Sequence, residues 1–167
     1  PDILDLLSRM PREDFVPAAY RNLAYADIEI PLREGQPQGP SMLAPKIEAR
    51  ILQDLQVQPH ESVLQIGTGS GYLAALLGQR ARQVLTLEID PELAIAARQR
   101  LEAAGIHNVM VRVADGALGA AGEAPFDVIV LSGSVAEVPQ ALQEQLKVGG
   151  RLFAIVGQEP MMRATFI

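Results

Sequence analysis

The chain has 167 residues, enough for one domain with a buried core, and its 49% apolar and 20% charged residues are typical of a globular domain rather than a disordered one. Its net charge of −6 argues against sequence-independent binding of nucleic acid, which requires a basic face to neutralise phosphates. The sequence has no cysteine, which excludes disulfides, thiolate nucleophiles and cysteine-based zinc sites, and its two histidines, His60 and His107, have no partners at ligand spacing, so no metal is expected.

The sequence gives no sign of a membrane span. No apolar stretch approaches the roughly 20 residues that a transmembrane helix needs, and the first residues lack the charged and apolar regions of a signal peptide. We therefore expect a cytoplasmic protein. Because the chain begins with Pro1 instead of methionine and ends within the apolar segment MMRATFI (161–167), we expect the natural protein to continue at both ends.

Residues 1–167 are expected to form a single domain, in which 1–58 are a cap region of helices and loops and 59–167 the core. Helical patterning covers residues 2–10 and 45–55. Residues 29–42 hold three prolines and two glycines in fourteen positions, which predicts a loop without regular structure. Long loops in compact domains are usually functional or disordered, and this one could cover a ligand.

Strand and helix patterns alternate in the core, and this predicts an α/β fold. The strands are short and almost continuously apolar, as expected for strands covered on both faces. One helix has clear end signals: Asp90 can cap it, Pro91 is its first residue, and Gly105 follows it. The order predicts a doubly wound, mostly parallel sheet between two helical layers. The predicted strands are 62–66, 83–89, 109–114, 126–132 and 150–156, and the predicted helices 71–80, 91–104 and a weaker one over about 137–146.

The segment VLQIGTGSGY (63–72) predicts a ligand-binding loop after the first strand of the core. Ligands of open parallel sheets bind beyond the carboxyl ends of the strands, where Gly67, Gly69 and Gly71 would lie. Glycines there allow a tight turn, close approach to a ligand and close packing of the next helix, whose first N–H groups face the ligand. The spacing is GxGxG, which fits the GxGxxG fingerprint of dinucleotide sites poorly.

Two further strand ends complete a predicted nucleoside pocket. Glu88 ends the second strand about 20 residues after the glycine loop (67–71), where a carboxylate can accept both hydroxyls of a ribose. Ile89 follows it. Asp115 and Gly116 come after the third strand, at a place suited to contact with the base.

The order of these motifs resembles class I S-adenosylmethionine-dependent methyltransferases, which have a Rossmann-like fold. More narrowly, the chain resembles the protein-L-isoaspartate O-methyltransferase family over nearly its whole length. The segments that carry the resemblance are MPREDFVP (10–17), NLAYADIEIPL (22–32), IGTGSGY (66–72) and LKVGGRL (146–152). The family usually continues into a last antiparallel strand pair, and MMRATFI resembles its start.

The resemblance implies S-adenosylmethionine as cofactor and assigns roles to individual residues. The glycine loop would line the methionine and ribose side, Glu88 would take the ribose hydroxyls, and Asp115 with Gly116 would meet the adenine. Gln65 stands where the family usually has an acidic residue, which would help to hold the cofactor's ammonium group, so weaker binding is expected. The cofactor-binding residues so assigned are Gln65, Gly67, Thr68, Gly69, Ser70, Gly71, Glu88, Ile89, Asp115 and Gly116.

The substrate side departs from the family pattern. The family's loop reads glycine, glutamine, threonine, isoleucine, serine, glutamine, proline, whereas the acceptor segment here (39–45) reads GPSMLAP. Leu43 therefore stands where the serine hydroxyl belongs, Ser41 replaces the threonine as the candidate catalytic hydroxyl, and Met42 replaces the isoleucine. Ser132, after the fourth strand, is a further candidate for the substrate side.

The resemblance implies methylation of L-isoaspartyl or D-aspartyl carboxylates in damaged proteins, with a protein or peptide as partner and neither nucleic acid nor membrane. A carboxylate with a pKa near 4 is already ionised at neutral pH and needs no general base, which agrees with the lack of histidine and cysteine at the predicted site. Two alternatives stay open: a related methyltransferase with another acceptor, and a cofactor-binding regulatory module without isoaspartyl activity. The sequence does not indicate the oligomeric state.

Simpler structural interpretations exist for the same residues. Asp115 could be a turn residue, Ser41 an ordinary loop hydroxyl, and Ser132 part of a small-residue turn. Glu88 could be a solvated strand end.

Overall fold

The computed structural model describes residues 2–35, 41–135, 137–156 and 163–166. A six-stranded sheet forms its centre. The helices are α1 (Asp2–Arg9), α2 (Pro45–Leu55), α3 (Tyr72–Arg80), α4 (Pro91–Ala103) and α5 (Gln140–Glu144). The strands are β1 (Ile30–Pro31), β2 (Ser41–Met42), β3 (Ser62–Ile66), β4 (Gln83–Glu88), β5 (Val109–Val113), β6 (Phe126–Val135), β7 (Leu146–Val156) and β8 (Arg163–Phe166).

The strand order β5-β4-β3-β6-β7-β8 confirms the predicted doubly wound α/β fold. Strands β3 to β7 pair in parallel, and β8 pairs with β7 in the antiparallel sense. The chain moves outward from β3 to β5 and then returns to β6, so the order reverses between β3 and β6. Ligands of such sheets bind at this point, beyond the carboxyl ends of the strands.

Successive residues of the strands face two apolar layers. Val63 and Val128 pack with residues of α2, α3 and α4, whereas Leu64 and Ile129 pack on the other face with Leu142 of α5. This alternation follows from the two-residue period of a strand, and burial on both faces explains why the strands are almost continuously apolar. None of the helices in the described part of the chain has the length and apolar character of a membrane span.

The predicted capping of α4 is confirmed. The Asp90 carboxylate accepts hydrogen bonds from the N–H groups of Glu92 (2.9 Å) and Leu93 (3.4 Å), and Pro91 is the first helical residue. Gly105 follows the helix with a φ of +72°, a conformation that favours glycine.

The C-terminal part of the core differs from the prediction in its boundaries. The helix predicted over 137–146 is limited to Gln140–Glu144, and β7 begins at Leu146 instead of residue 150. Leu146 pairs with Phe126, and the register then shifts before Arg151 pairs with Val128. Gly149, with a φ of +82°, lies inside this irregular stretch, so the glycines that indicated a strand start mark a bulge within the strand.

The cap region also contains structure that was not predicted. Residues 29–42 were expected to lack regular structure, which is wrong at both ends: β1 and β2 pair in the antiparallel sense, Ile30 opposite Met42 and Pro31 opposite Ser41. Proline is tolerated there because the two-stranded ribbon is short and has free edges. Two 3-10 helices, Arg12–Phe15 and Ala18–Leu23, follow Pro11 and Pro17. Residues 36–40 of the predicted loop lie outside the described residues.

Candidate cofactor and acceptor site

A cavity of about 390 Å³ lies at the carboxyl ends of β3 and β4, within the size range of small-molecule sites. One part of its lining, the acceptor side, comes from the cap region, and the other part, the strand-end side, comes from the core. The acceptor side is formed by Leu32, Ser41, Met42, Leu43 and Glu48. The strand-end side is formed by Gln65, Gly67, Thr68, Gly69, Ser70, Leu73, Glu88, Ile89, Asp90, Leu93 and Ser132.

The glycine loop has a backbone conformation that requires its glycines. Gly67 and Gly71 both have a φ of +91°, a region that residues with a Cβ atom rarely adopt. At Gly71, which precedes α3, a Cβ atom would also lie 3.3 Å from the Cβ atom of Ala97 in α4. The loop therefore combines a tight turn after β3 with close packing of α3 against α4, as its spacing predicts.

Glu88 is a structural support of this loop as well as a candidate ligand group. Its side chain is buried, and its carboxylate accepts hydrogen bonds from the N–H groups of Gly69 (2.9 Å) and Asp90 (3.1 Å). A carboxylate has about four acceptor positions, so two remain for hydroxyl donors in the cavity. The interpretation of Glu88 as a solvated strand end is wrong.

Gln65 lies in a chain of polar side chains beneath the cavity. Its Oε1 accepts a hydrogen bond from the Thr86 hydroxyl (2.8 Å), and its Nε2 donates one to the Ser132 hydroxyl (2.8 Å). The Thr86 and Thr68 hydroxyls are 2.7 Å apart. Gln65 is only 1% exposed, and these partners satisfy its amide, so this polar side chain can be buried at the end of β3.

Asp115, Gly116 and Gly71 do not line the cavity, unlike the other predicted cofactor residues. The Asp115 side chain is exposed and accepts a hydrogen bond from the Ala117 N–H (3.0 Å), which caps the short 3-10 helix Gly116–Leu118. A Cβ atom on Gly116 would lie 2.1 Å from Cγ2 of Ile66, so glycine is needed there for packing. Their contact with the adenine stays a prediction.

The acceptor side is held by a buried ion pair that was not predicted. Arg12 and Glu48 are 2% and 3% exposed; Nη1 of Arg12 donates to Oε1 of Glu48, and Nη2 donates to the carbonyl oxygen of Leu43 (3.0 Å). The guanidinium also lies over the ring of Tyr72, 5.0 Å from its centre, at the start of α3. Arg12 thus connects the acceptor segment, α2 and the helix that follows the glycine loop.

Burial dominates the ionisation of this cluster. It raises the pKa of Glu48 to about 7, although the neighbouring Arg12 acts in the opposite direction. Burial also raises the pKa of Tyr72 to about 12, assisted by the negative charge of Glu48.

Nε of Arg12 is the only buried side-chain polar atom without a hydrogen-bond partner among the described residues.

The sequence contains a signal for Glu48. Helix α2 buries Ile51, Leu52 and Leu55, and Glu48 lies three and four positions before the first two, on the same face. A carboxylate on the apolar face of a helix requires a buried partner. No comparable pattern in the sequence indicates that Arg12, 36 positions away, is that partner.

Comparisons with known proteins agree with this architecture. The model of the family described as protein-L-isoaspartate(D-aspartate) O-methyltransferase matches residues 1–165. A protein-L-isoaspartate O-methyltransferase of Koribacter versatilis (strain Ellin345) is 44% identical over 165 residues, which are 99% of this chain and 72% of that protein. One of Syntrophobacter fumaroxidans (strain DSM 10017 / MPOB) is 42% identical over 155 residues, 93% of this chain and 71% of that protein.

Solved structures show the same fold. A protein-L-isoaspartate O-methyltransferase structure superposes with a TM-score of 0.84 at 28% identity, over 98% of this chain and 54% of that one. The chain therefore spans about half the length of that solved structure. A Plasmodium falciparum beta-aspartate methyltransferase in complex with S-adenosyl-L-homocysteine has a TM-score of 0.80 at 19% identity, over 99% of this chain and 80% of that one, and this likeness concerns the fold alone.

Proposed function

The chain belongs to the protein-L-isoaspartate(D-aspartate) O-methyltransferase family and is a methyltransferase that uses S-adenosylmethionine, and from this premise we propose that its acceptor is the carboxylate of isoaspartyl residues in proteins or peptides. One observation supports the proposal most: residues 67–70 of the glycine loop, Glu88 and residues 41–43 of the acceptor segment line the same cavity. A methyl group and an acceptor bound in it would be neighbours.

The residues of the strand-end side fit the cofactor. When bound, S-adenosylmethionine supplies an activated methyl group. The glycine loop offers backbone close to the cavity, and the remaining acceptor positions of Glu88 suit ribose hydroxyls. Gln65, satisfied by Thr86 and Ser132, would keep the polar floor of the site in place. We retain Asp115 and Gly116 as the adenine contacts in this proposal.

The chemistry that the chain must perform is mainly positioning. An acceptor carboxylate is ionised at neutral pH and needs no base. Residues of the acceptor side therefore have to exclude water and align one carboxylate oxygen, a task that is worth several orders of magnitude in rate. The apolar side chains of Leu32, Met42 and Leu43 can exclude water, and Ser41 offers a hydroxyl.

A location in the cytoplasm remains a prediction from the sequence.

A labelled-methyl assay tests the acceptor. The protein is incubated with labelled cofactor and either an isoaspartyl peptide or the same peptide with normal aspartate. We expect label on the isoaspartyl peptide alone, because the two peptides differ only in which carboxylate is free. Cofactor binding without transfer to either peptide would contradict the proposal and favour the regulatory module, and transfer to a different class of acceptor would favour the related methyltransferase.

Changing Gln65 to Glu is expected to tighten cofactor binding by about fivefold, because a charge-assisted hydrogen bond to the cofactor's ammonium group adds on the order of 1 kcal/mol over a neutral one. Thr86 and Ser132 can both donate to the new carboxylate, so its burial is supported. Calorimetric titration with S-adenosylhomocysteine measures the effect. Gln83→Glu is the matched control, because Gln83 is exposed at the opposite end of the neighbouring strand. Equal affinity of wild type and Gln65→Glu would refute the role of this position.

A further inference from the structure

The acidic side chains that line the cavity carry the same charge as a carboxylate substrate. Among the described residues that line the cavity, Glu48, Glu88 and Asp90 are acidic and none is basic. The serine hydroxyl that the family pattern places in the acceptor segment is replaced by Leu43. Ser41 offers one hydrogen-bond donor to an acceptor carboxylate, and a protonated carboxyl group would supply a second donor and also reduce the like-charge repulsion.

Two of the three carboxyl groups accept hydrogen bonds from backbone N–H groups. Glu88 accepts two backbone N–H bonds. Asp90 accepts two N–H bonds at the start of α4 and pairs with Arg33. Both carboxyl groups therefore already have hydrogen-bond donors within the protein.

Glu48 differs from both in its environment. It is only 3% exposed. It is the acidic side chain of the acceptor side, which it lines together with Met42 and Leu43. The groups that face it are the Arg12 guanidinium, which donates to Oε1, and the Tyr72 phenol of α3, which is neutral near pH 7. Its other oxygen, Oε2, accepts no hydrogen bond from the described residues. That oxygen can therefore carry a proton while Oε1 remains bound to Arg12.

We propose that Glu48 orients the acceptor: when a substrate carboxylate enters the cavity, Oε2 of Glu48 takes up one proton from solvent and donates it in a hydrogen bond to the carboxylate oxygen that is not methylated. This inference rests on the proposed carboxylate acceptor. It gives Glu48 the part that a serine hydroxyl at position 43 would have, and leaves the other acceptor oxygen free as the nucleophile. Once the acceptor has become a neutral ester and has left, the proton returns to solvent.

The ionisation of Glu48 agrees with this assignment. Burial places its pKa at about 7, so the neutral form is well populated near neutral pH. An incoming carboxylate stabilises the neutral form further, because two adjacent carboxylates cannot both remain ionised at low cost. The Arg12 guanidinium then faces one negative charge, shared by Glu48 and the substrate carboxylate, instead of two.

Proton uptake is measured directly by calorimetry on the wild-type protein. An isoaspartyl peptide is titrated into the S-adenosylhomocysteine complex at pH 8 in buffers of different ionisation enthalpy. We expect uptake approaching one proton per bound peptide, since Glu48 is largely ionised before binding at this pH. Binding with no uptake, together with methyl transfer to the same peptide, would overturn the role of Glu48 and leave the proposed function intact. Absence of transfer at every pH would overturn the proposed function and this role with it.

The Glu48→Gln variant provides the second measurement. Gln can accept from Arg12 and donate to the substrate at any pH. In the wild type, kcat/KM for the peptide is expected to fall about tenfold per pH unit above pH 7, mainly through KM, whereas in Glu48→Gln this fall should disappear. Ser41→Ala, on the same side of the cavity, should lower activity equally at all pH values and keep the slope. An unchanged slope in Glu48→Gln would contradict the proposal, and an unchanged affinity for S-adenosylhomocysteine would confirm that the effect concerns the acceptor.

Discussion

Replacing Arg12 by methionine is expected to lower the free energy of unfolding by about 3–5 kcal/mol at pH 9, but by only about 1–2 kcal/mol at pH 6. At high pH the variant must bury the Glu48 carboxylate without its cationic partner, or keep the carboxyl group protonated at a pH that favours the ionised form. Both cost free energy. At pH 6 Glu48 is already largely protonated in the wild type, because its pKa is about 7. The variant then loses the hydrogen bonds to Glu48 and to the Leu43 carbonyl oxygen and the contact with Tyr72, but it leaves no buried carboxylate without its partner.

The direction of this pH dependence follows from linkage. The pKa of Glu48 in the folded protein lies above its ordinary value of 4.5, so its contribution to stability is lost as pH rises from about 4.5 to 7 in the wild type. Without Arg12 the folded pKa rises further, and the loss continues above pH 7. The gap between variant and wild type therefore grows between pH 6 and pH 9.

Thermal unfolding and denaturant unfolding at both pH values test this prediction. For a chain of this size, 1 kcal/mol corresponds to roughly 2–4 °C in Tm. Arg50→Met is the matched control: Arg50 pairs with Asp54 on the surface of α2, its side chain is 65% exposed, and the expected change is below about 1 kcal/mol. The double variant Arg12→Met/Glu48→Met should recover most of the stability, since it removes both buried charges. A loss in Arg12→Met that is equal at pH 6 and pH 9 would contradict the assigned ionisation of Glu48.

The core of the fold could be predicted because its signals are local. The strand Ser62–Ile66 is mostly apolar, and the cap Asp90 and the terminating Gly105 lie next to the ends of α4 in the sequence. The 3-10 helices and the β1–β2 pairing were missed because they depend on contacts made by the cap region as a whole. The extended strand β7 was shortened in the prediction because glycines mark strand ends as readily as bulges.

The site could be predicted in position but only in part in its contacts. The spacing between the glycine loop and Glu88 located the strand-end side of the cavity. It did not show that Glu88 also binds the Gly69 N–H, nor that Asp115 caps a 3-10 helix. The pair of Arg12 and Glu48 joins residues 36 positions apart, and no periodic pattern encodes a contact at that distance.

Replacing Glu88 by alanine is expected to weaken binding of S-adenosylhomocysteine by about 1–3 kcal/mol, or roughly five- to 150-fold in Kd. Two losses contribute. The proposed bonds to the ribose hydroxyls disappear, and the Gly69 N–H loses its acceptor, so the glycine loop is no longer held in the conformation that Gly67 and Gly71 provide. Because of the second loss, the glycine loop must become ordered each time the cofactor binds, and this ordering costs free energy.

Glu88→Gln separates the two contributions. Its Oε1 can still accept the Gly69 N–H, so the loop stays in place. The charge that strengthens a bond to a hydroxyl is removed, and the new amide NH2 group can no longer accept the Asp90 N–H. We therefore expect an affinity between those of the wild type and Glu88→Ala, measured by calorimetry, and amide hydrogen exchange at the glycine loop that is close to the wild type in Glu88→Gln but faster in Glu88→Ala. Glu102→Ala, on the exposed face of α4, should change neither quantity. If Glu88→Ala bound the cofactor as tightly as the wild type, the nucleoside would have to lie elsewhere than in this cavity.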